Sequence, residues 1–540
     1  GLEPVLPHLS AWHRERESEV TLDSWTYRER WDFDRGGLAR VKSEGHWLVV
    51  TVADAAQQAE QLAETLVSAG VEVTVIEACI APKELSDKLR PHRQSVSCVV
   101  SLTAWAGRDD HPDKSVPFGV DLTLSLLQAF PDSGVEAPLF LLTQGAVKTG
   151  AEDVLDSPKQ ALVWGLGRVF GLEHAERFGG LLDLPEQLSP DVWRRACAWM
   201  DRRGDEDQVA LRSRGIFVRR LVRSTVVGSG QCWRGEGTVL ITGGTGALGA
   251  HVARWMAGQG AQHLVLTSRR GLEAPGASAL MEELEELGVR VTVASCDVAD
   301  RAQLRALVDS LKNDIHPLNT VVHTAGVVSY GWICQLELEE VHREMQAKVA
   351  GAWNLHHVMG DYPLKAMILY GSIAGLWGSG QQGAYSASNA ALEAVAHKRR
   401  ELGHHALVVH WGPWAGGGMV RQVEHQAESS EQRLRKRGLL PMAPERALRA
   451  LGMALRGDET SIAVVQADWA RLAPILAFAR PRPFFAGVDA ARAAMKETQT
   501  TEASPDDAAE SLRAELESLP ESTRLHRLRR LISEATATVL

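Results

Sequence analysis

Val239-Leu-Ile241 runs directly into Thr242-Gly243-Gly244-Thr245-Gly246-Ala247-Leu248-Gly249, and the order strand, glycine-rich turn, helix decides the fold. Gly243 and Gly246 let the backbone turn tightly and approach a pyrophosphate, and Gly249 lets the following helix pack close to the strand. The helix start offers free N–H groups and a favourable dipole to an anion. A glycine cluster alone is equally compatible with a plain turn, so its neighbours matter.

They repeat a strand–helix rhythm. His263-Leu-Val-Leu-Thr267, Val289-Arg-Val-Thr-Val293, Asn319-Thr-Val-Val-His323, Ala366-Met-Ile-Leu-Tyr370 and Ala406-Leu-Val-Val-His410 read as strands, with helices expected over 247–259 and 275–287. The same rhythm occurs earlier, from Trp47-Leu-Val-Val-Thr-Val52 through Val71–Ile76, Ser97–Ser101 and Ala137–Leu142. Strands alternating with helices predict parallel α/β sheets, here as two tandem Rossmann-like units. The first unit has Ala53-Asp54-Ala55-Ala56 where the second has its glycines, so it is expected to be a degenerate, structural copy.

The expected organisation is a polar connector over 1–30, a structural subdomain over 31–230, a catalytic subdomain over 231–487, a flexible linker over 488–508 and a helical tail over 509–540. A chain of 540 residues is long enough for more than one domain, and its net charge of -10 argues against nucleic-acid binding. Six scattered cysteines without a C-x-x-C pair fit reduced thiols and no metal site. No apolar run reaches the ~18 residues of a membrane span, and no signal peptide is visible, so a soluble cytoplasmic protein is expected.

The second strand ends in Ser268-Arg269-Arg270, where a dinucleotide's ribose would lie. An acid there would accept a 2′-hydroxyl, whereas an arginine fork suits a 2′-phosphate, which points to NADPH. Asp297 and Val298 follow the third strand, where Asp297 could meet the adenine edge or cap a helix.

Ser372, Tyr385 and Asn389 form the second constellation. Hydride addition to a ketone leaves an alkoxide, which needs a proton donor and a polarising group. Tyr385 can supply the proton and Ser372 can bond the same oxygen. Tyr385 and Asn389, spaced i, i+4 on a predicted helix, share a face.

With these residues the chain resembles the short-chain dehydrogenase/reductase superfamily, with Asn389 where that superfamily usually carries lysine. The exchange resembles the ketoreductase domains of modular type I polyketide synthases, whose lysine lies upstream and matches Lys348 in Ala347-Lys348-Val349-Ala350-Gly351. The resemblance implies that Lys348 holds the nicotinamide ribose and lowers the pKa of Tyr385, with Asn389 supporting Lys348 and a water chain. It implies cofactor contacts from Thr242, Gly243, Gly244, Thr245, Gly246, Leu248, Gly249, Ser268, Arg269, Arg270, Asp297, Val298, Ala325, Gly326, Lys348, Tyr385 and Pro413. Trp25–Trp31 resembles the opening strand of such domains, and Trp164-Gly-Leu-Gly167 with Leu172-Glu-His174 their structural subdomain. His410-Trp-Gly-Pro-Trp414 and Ala415–Met419 look like the nicotinamide-side loop and a mobile lid. The tail resembles the approach to an acyl carrier protein.

Within that family, Leu-Asp-Asp after the His-x-Ala-Gly-Val motif marks one stereochemical subtype. Here Val328-Ser329-Tyr330 follows instead, and Trp377 stands eight residues before Tyr385, as in the A-type. Gln382 in place of a histidine implies the non-epimerising A1 class, with Met419 a further pocket residue. The expected activity is NADPH-dependent reduction of a carrier-bound β-ketoacyl thioester to an L-β-hydroxyacyl product. The expected partners are a phosphopantetheine-bearing acyl carrier protein and neighbouring synthase domains, with no nucleic acid, membrane or metal. A free-standing carbonyl reductase and a catalytically silent scaffold are the alternatives.

Overall fold

The computed structural model describes residues 22–36, 45–107, 116–202, 204–224, 234–416 and 430–501, with isolated positions 513, 516 and 524. Met419 and almost all of the 509–540 tail lie outside the described residues.

The amino-terminal half contributes strands β1 (Thr26–Phe33), β2 (His46–Thr51), β3 (Glu72–Glu77), β4 (Val96–Ser101), β5 (Leu139–Gln144), β6 (Phe178–Leu184), β7 (Gln208–Arg212) and β8 (Gly215–Arg223). The carboxy-terminal half contributes β9 (Thr238–Thr242), β10 (His263–Ser268), β11 (Arg290–Ser295), β12 (Leu318–His323), β13 (Ala366–Ser372), β14 (Ala406–Trp411), the two-residue β15 (Leu439–Leu440) and β16 (Ser461–Val464). They form one 15-stranded sheet in the order β11-β10-β9-β12-β13-β14-β16-β1-β8-β7-β6-β5-β4-β2-β3, while β15 pairs separately with Gln466–Ala467.

Composition explains each strand's place. β2, β5 and β14 are buried at every position, as central parallel strands covered by helices on both faces must be. The edge strands β3 and β11 instead expose Glu72, Glu77 and Arg290, charges that discourage edge-to-edge pairing. Both halves are Rossmann-like. In the carboxy-terminal half the strand order reverses between β9 and β12, which opens the crevice where such sheets bind ligands. In the amino-terminal half the turn after β2 is tied down, with the Asp54 carboxylate accepting the Gly107 N–H at 2.8 Å. Among the described residues no helix is long and apolar enough to cross a membrane.

Two boundaries differ from expectation. The presumed connector over 1–30 ends in β1, which pairs antiparallel with β8 on one side and with β16 on the other. It is therefore a central strand shared by both halves. The resemblance of Trp25–Trp31 to an opening strand agrees with it, although the alternating charged residues alone do not reveal a strand whose Glu29 has a buried partner in Arg219. The presumed linker over 488–508 begins as a helix, Asp489–Thr501. Val488, Ala491 and Ala494 bury a narrow stripe of small side chains against Trp469, Phe484 and Phe485, and that contact stabilises a segment too weakly apolar to read as helical.

Candidate active site

The glycine turn leaves β9 with Gly243 at φ +69, a left-handed conformation that glycine adopts without strain. The helix Ala247–Gly258 follows at once, and a Cβ on Gly249 would fall 2.3 Å from the Gly243 carbonyl oxygen. The turn thus brings free helix N–H groups to the mouth of the crevice. At the end of β10, Arg269 and Arg270 are exposed while Ser268 is half-buried. The Asp297 carboxylate accepts the Ala299 N–H at 3.0 Å, and Asp300 caps the next helix. Val298 is buried against Gly351.

His323, at the end of β12, links the turn to the lysine. Its Nε2–H donates to the Lys348 carbonyl at 2.9 Å, so Nδ1 accepts the Thr242 hydroxyl at 2.7 Å. Burial holds its pKa at about 3, so it stays neutral. Lys348 sits in a single π-helical turn, Gln346–Ala350, that interrupts the helix from Leu338 to Met359. Its side chain passes over Gly326, where a Cβ would lie 2.8 Å from Lys348 Cε, and its ammonium donates to the Tyr370 carbonyl at 2.9 Å. Burial lowers the ammonium pKa to about 8, although Glu344 opposes the shift.

Ser372 ends β13 and caps the short helix Ile373–Trp377, accepting the Ala374 N–H at 3.2 Å. Tyr385 and Asn389 lie on the helix Gly383–Glu401, whose first turns are buried. The Asn389 amide donates to the Tyr385 carbonyl at 2.7 Å, which leaves its Oδ1 a buried acceptor without a partner among the described residues. Burial pushes the Tyr385 phenol up to about 12, against the opposing hydrogen bonds of Ser372 and Asn389. This reverses the expected direction. The low-dielectric surroundings of the phenol dominate, and the Lys348 ammonium donates to the Tyr370 carbonyl instead.

Ser372, Trp377, Gln382, Tyr385 and Pro413 line one cavity of about 1010 Å³. Gln382 is fixed by a bridge to Gly331, and its neighbour Gln381 holds φ +62. The structure therefore brings Ser372 and Tyr385 to the same cavity as Leu248, at the start of the helix that follows the glycine turn.

The comparisons follow the same division. The family model described as "KR domain" matches residues 237–416, and "Polyketide synthase extender module SpnB, Rossmann fold domain" matches residues 44–221. A solved A1-type ketoreductase is 40% identical, with a TM-score of 0.81 over 88% of this chain and 99% of that one. The chain belongs to the ketoreductase domains of modular polyketide synthases. A solved C2-type ketoreductase is 34% identical with a TM-score of 0.78, so overall likeness does not separate the ketoreductase subtypes. Polyketide synthase GfsA of Streptomyces halstedii is 42% identical over 99% of this chain, and pikromycin synthase component PikAIII of Streptomyces venezuelae is 39% identical over 100%. The ketoreductase spans only 7% and 34% of those two synthases.

Sequence reasoning missed Glu344 and Glu173. Glu344 is buried, accepts both the N–H and the hydroxyl of Ser329, and is pushed by burial to about 7. Glu173, from the amino-terminal half, accepts the N–H groups of Ile333 and Gln381, each at 2.8 Å, and so pins two loops of the pocket. The quoted Leu172-Glu-His174 contained it without revealing its task.

Proposed function

We propose that this ketoreductase uses NADPH to reduce a β-ketoacyl thioester, carried on the phosphopantetheine of an acyl carrier protein, to the L-β-hydroxyacyl thioester. The observation that carries this reading is that Ser372 and Tyr385 line the same cavity as Leu248 of the glycine turn, with Lys348 joined to that turn through His323. The crevice fits the cofactor: the turn admits a pyrophosphate, and the exposed Arg269 and Arg270 suit a 2′-phosphate. When bound, the cofactor supplies the hydride.

The chain's own residues manage the proton. Tyr385, protonated at neutral pH because of its burial, gives its proton to the carbonyl oxygen as negative charge develops there. Ser372 donates to the same oxygen. Lys348 remains largely cationic near neutral pH and orients the ribose, and the reserve acceptor of Asn389 serves the path that returns a proton to Tyr385.

For the stereochemistry, Trp377 walls one side of the pocket and admits the acyl arm from the other, as in an A-type enzyme. Gln382 in place of histidine favours A1 behaviour, without epimerisation of an α-substituent. The domain works beside neighbouring synthase domains in the cytoplasm, a reading that suits scattered cysteines without a C-x-x-C pair.

The test is chiral analysis of the product from NADPH and a racemic α-methyl-β-ketoacyl thioester. An L-hydroxy product with one α-configuration supports the reading. Unchanged absorbance of the reduced cofactor defeats the activity, and a D-hydroxy product defeats the assigned face.

A further inference from the structure

The helix Ile373–Trp377 has only five residues, yet it carries Ser372 at its start and Trp377 at its end. Such a helix leaves its last carbonyls without intrahelical partners. Here three successive carbonyls each receive a buried guanidinium. Arg168 Nη1 donates to the Gly375 oxygen, Arg219 Nη1 to the Leu376 oxygen at 2.6 Å, and Arg482 Nη2 to the Trp377 oxygen at 2.6 Å. The three arginines are 5%, 1% and 3% exposed.

They come from three separate places. Arg168 lies on the amino-terminal half's helix Ala161–Glu173, Arg219 on β8, and Arg482 just before the Pro483–Gly487 turn. Each is itself braced. Arg168 and Arg219 share the Gln208 side-chain oxygen at 3.0 and 2.8 Å, Arg219 is paired with Glu29, and Asp207 supports the charge of Arg482. Charge-assisted bonds to the negative end of a helix are strong and directional. Donors approaching from three elements fix both the rotation of the helix and its position along its axis.

We propose that Arg168, Arg219 and Arg482 are positioning residues that set the placement of the Ser372–Trp377 segment, and thereby the carbonyl face that is reduced. The inference rests on the reading of Trp377 as the stereochemical wall. It assigns a specific task to the amino-terminal half: two of its arginines reach across to hold the segment joining a hydrogen-bond donor to that wall. If the segment shifts, the polarising hydroxyl and the wall move together.

The experiment compares wild type with Arg168→Gln, Arg219→Gln, Arg482→Gln and the milder Arg482→Lys. Each is given NADPH and a β-ketoacyl N-acetylcysteamine thioester, and the ratio of hydroxy stereoisomers is measured. That ratio does not depend on how much protein is folded, so a merely stabilising role leaves it unchanged. The expected result is a mixed product from the glutamine variants and a smaller loss of selectivity from Arg482→Lys. Turnover should fall roughly tenfold or more while the KM for NADPH holds. Wild-type ratios in folded variants overturn the proposal. Insolubility of every variant, Arg482→Lys included, assigns the arginines to folding and equally overturns it. A wild type that reduces no thioester, or does so without selectivity, instead refutes the functional reading beneath it.

Discussion

A Cβ added to Gly165 would lie 2.3 Å from the Cα of Ala387. The helix Ala161–Glu173 of the amino-terminal half therefore touches the Tyr385 helix backbone to backbone, two residues beyond the proposed proton donor. Replacing Gly165 by alanine forces the helices apart, at a cost of roughly 1–3 kcal/mol. Urea unfolding of Gly165→Ala should show this loss, together with a fall in turnover. Unchanged stability would mean that the interface is looser than its geometry.

Tyr385→Phe removes the proton donor while keeping the ring. Turnover should fall by about 10²–10⁴, with NADPH affinity nearly unchanged when read by fluorescence titration. Full activity in this variant would remove Tyr385 from its role.

Lys348 carries a folded-state pKa near 8, below its unfolded value, because it is buried. Between about pH 8 and the unfolded lysine value of about 10.4, the unfolded chain binds more protons than the folded one, so stability rises with pH there. Lys348→Met should lose activity yet gain stability at pH 7, and the gain should shrink as pH climbs through that window. Denaturant midpoints across pH 7–10.5 check the sign; a constant difference would contradict the buried cation.

Arg269 and Arg270 are exposed at the end of β10, where a 2′-phosphate would lie. Replacing both by alanine should raise the KM for NADPH roughly ten- to a hundredfold, the value of one or two charge-assisted bonds, and leave that for NADH nearly unchanged. Equal effects on both cofactors would assign them to general electrostatics.

The strands with continuous apolar runs, such as Leu264-Val265-Leu266, were legible because burial on both faces demands that composition. β1 was legible only through family resemblance, since by composition Arg28, Glu29, Arg30 and Asp32 read as a polar connector until Arg219 supplies a buried counter-charge. The glycine turn and Ser372, Tyr385 and Asn389 could be read from spacing. Lys348 came only through family resemblance, because no local pattern joins it to Tyr385. The three arginines on Ile373–Trp377 were beyond reach, being far apart in sequence and of a type that ordinarily points to water. The direction of the Tyr385 shift was also hidden, since it depends on burial that a list of charged neighbours does not contain.

The shared strand β1 has a practical consequence for anyone cutting and joining such domains. Thr26 and Tyr27 align with Val464 and Ala463, while Tyr27 through Phe33 align with β8. A fragment beginning downstream of Phe33 would carry two raw sheet edges where the intact molecule has none, and would tend to pair with copies of itself. A transplant boundary therefore belongs upstream of Leu22. Among the described strands, β1 must also wait for β16, far along the chain, before its hydrogen bonds are complete.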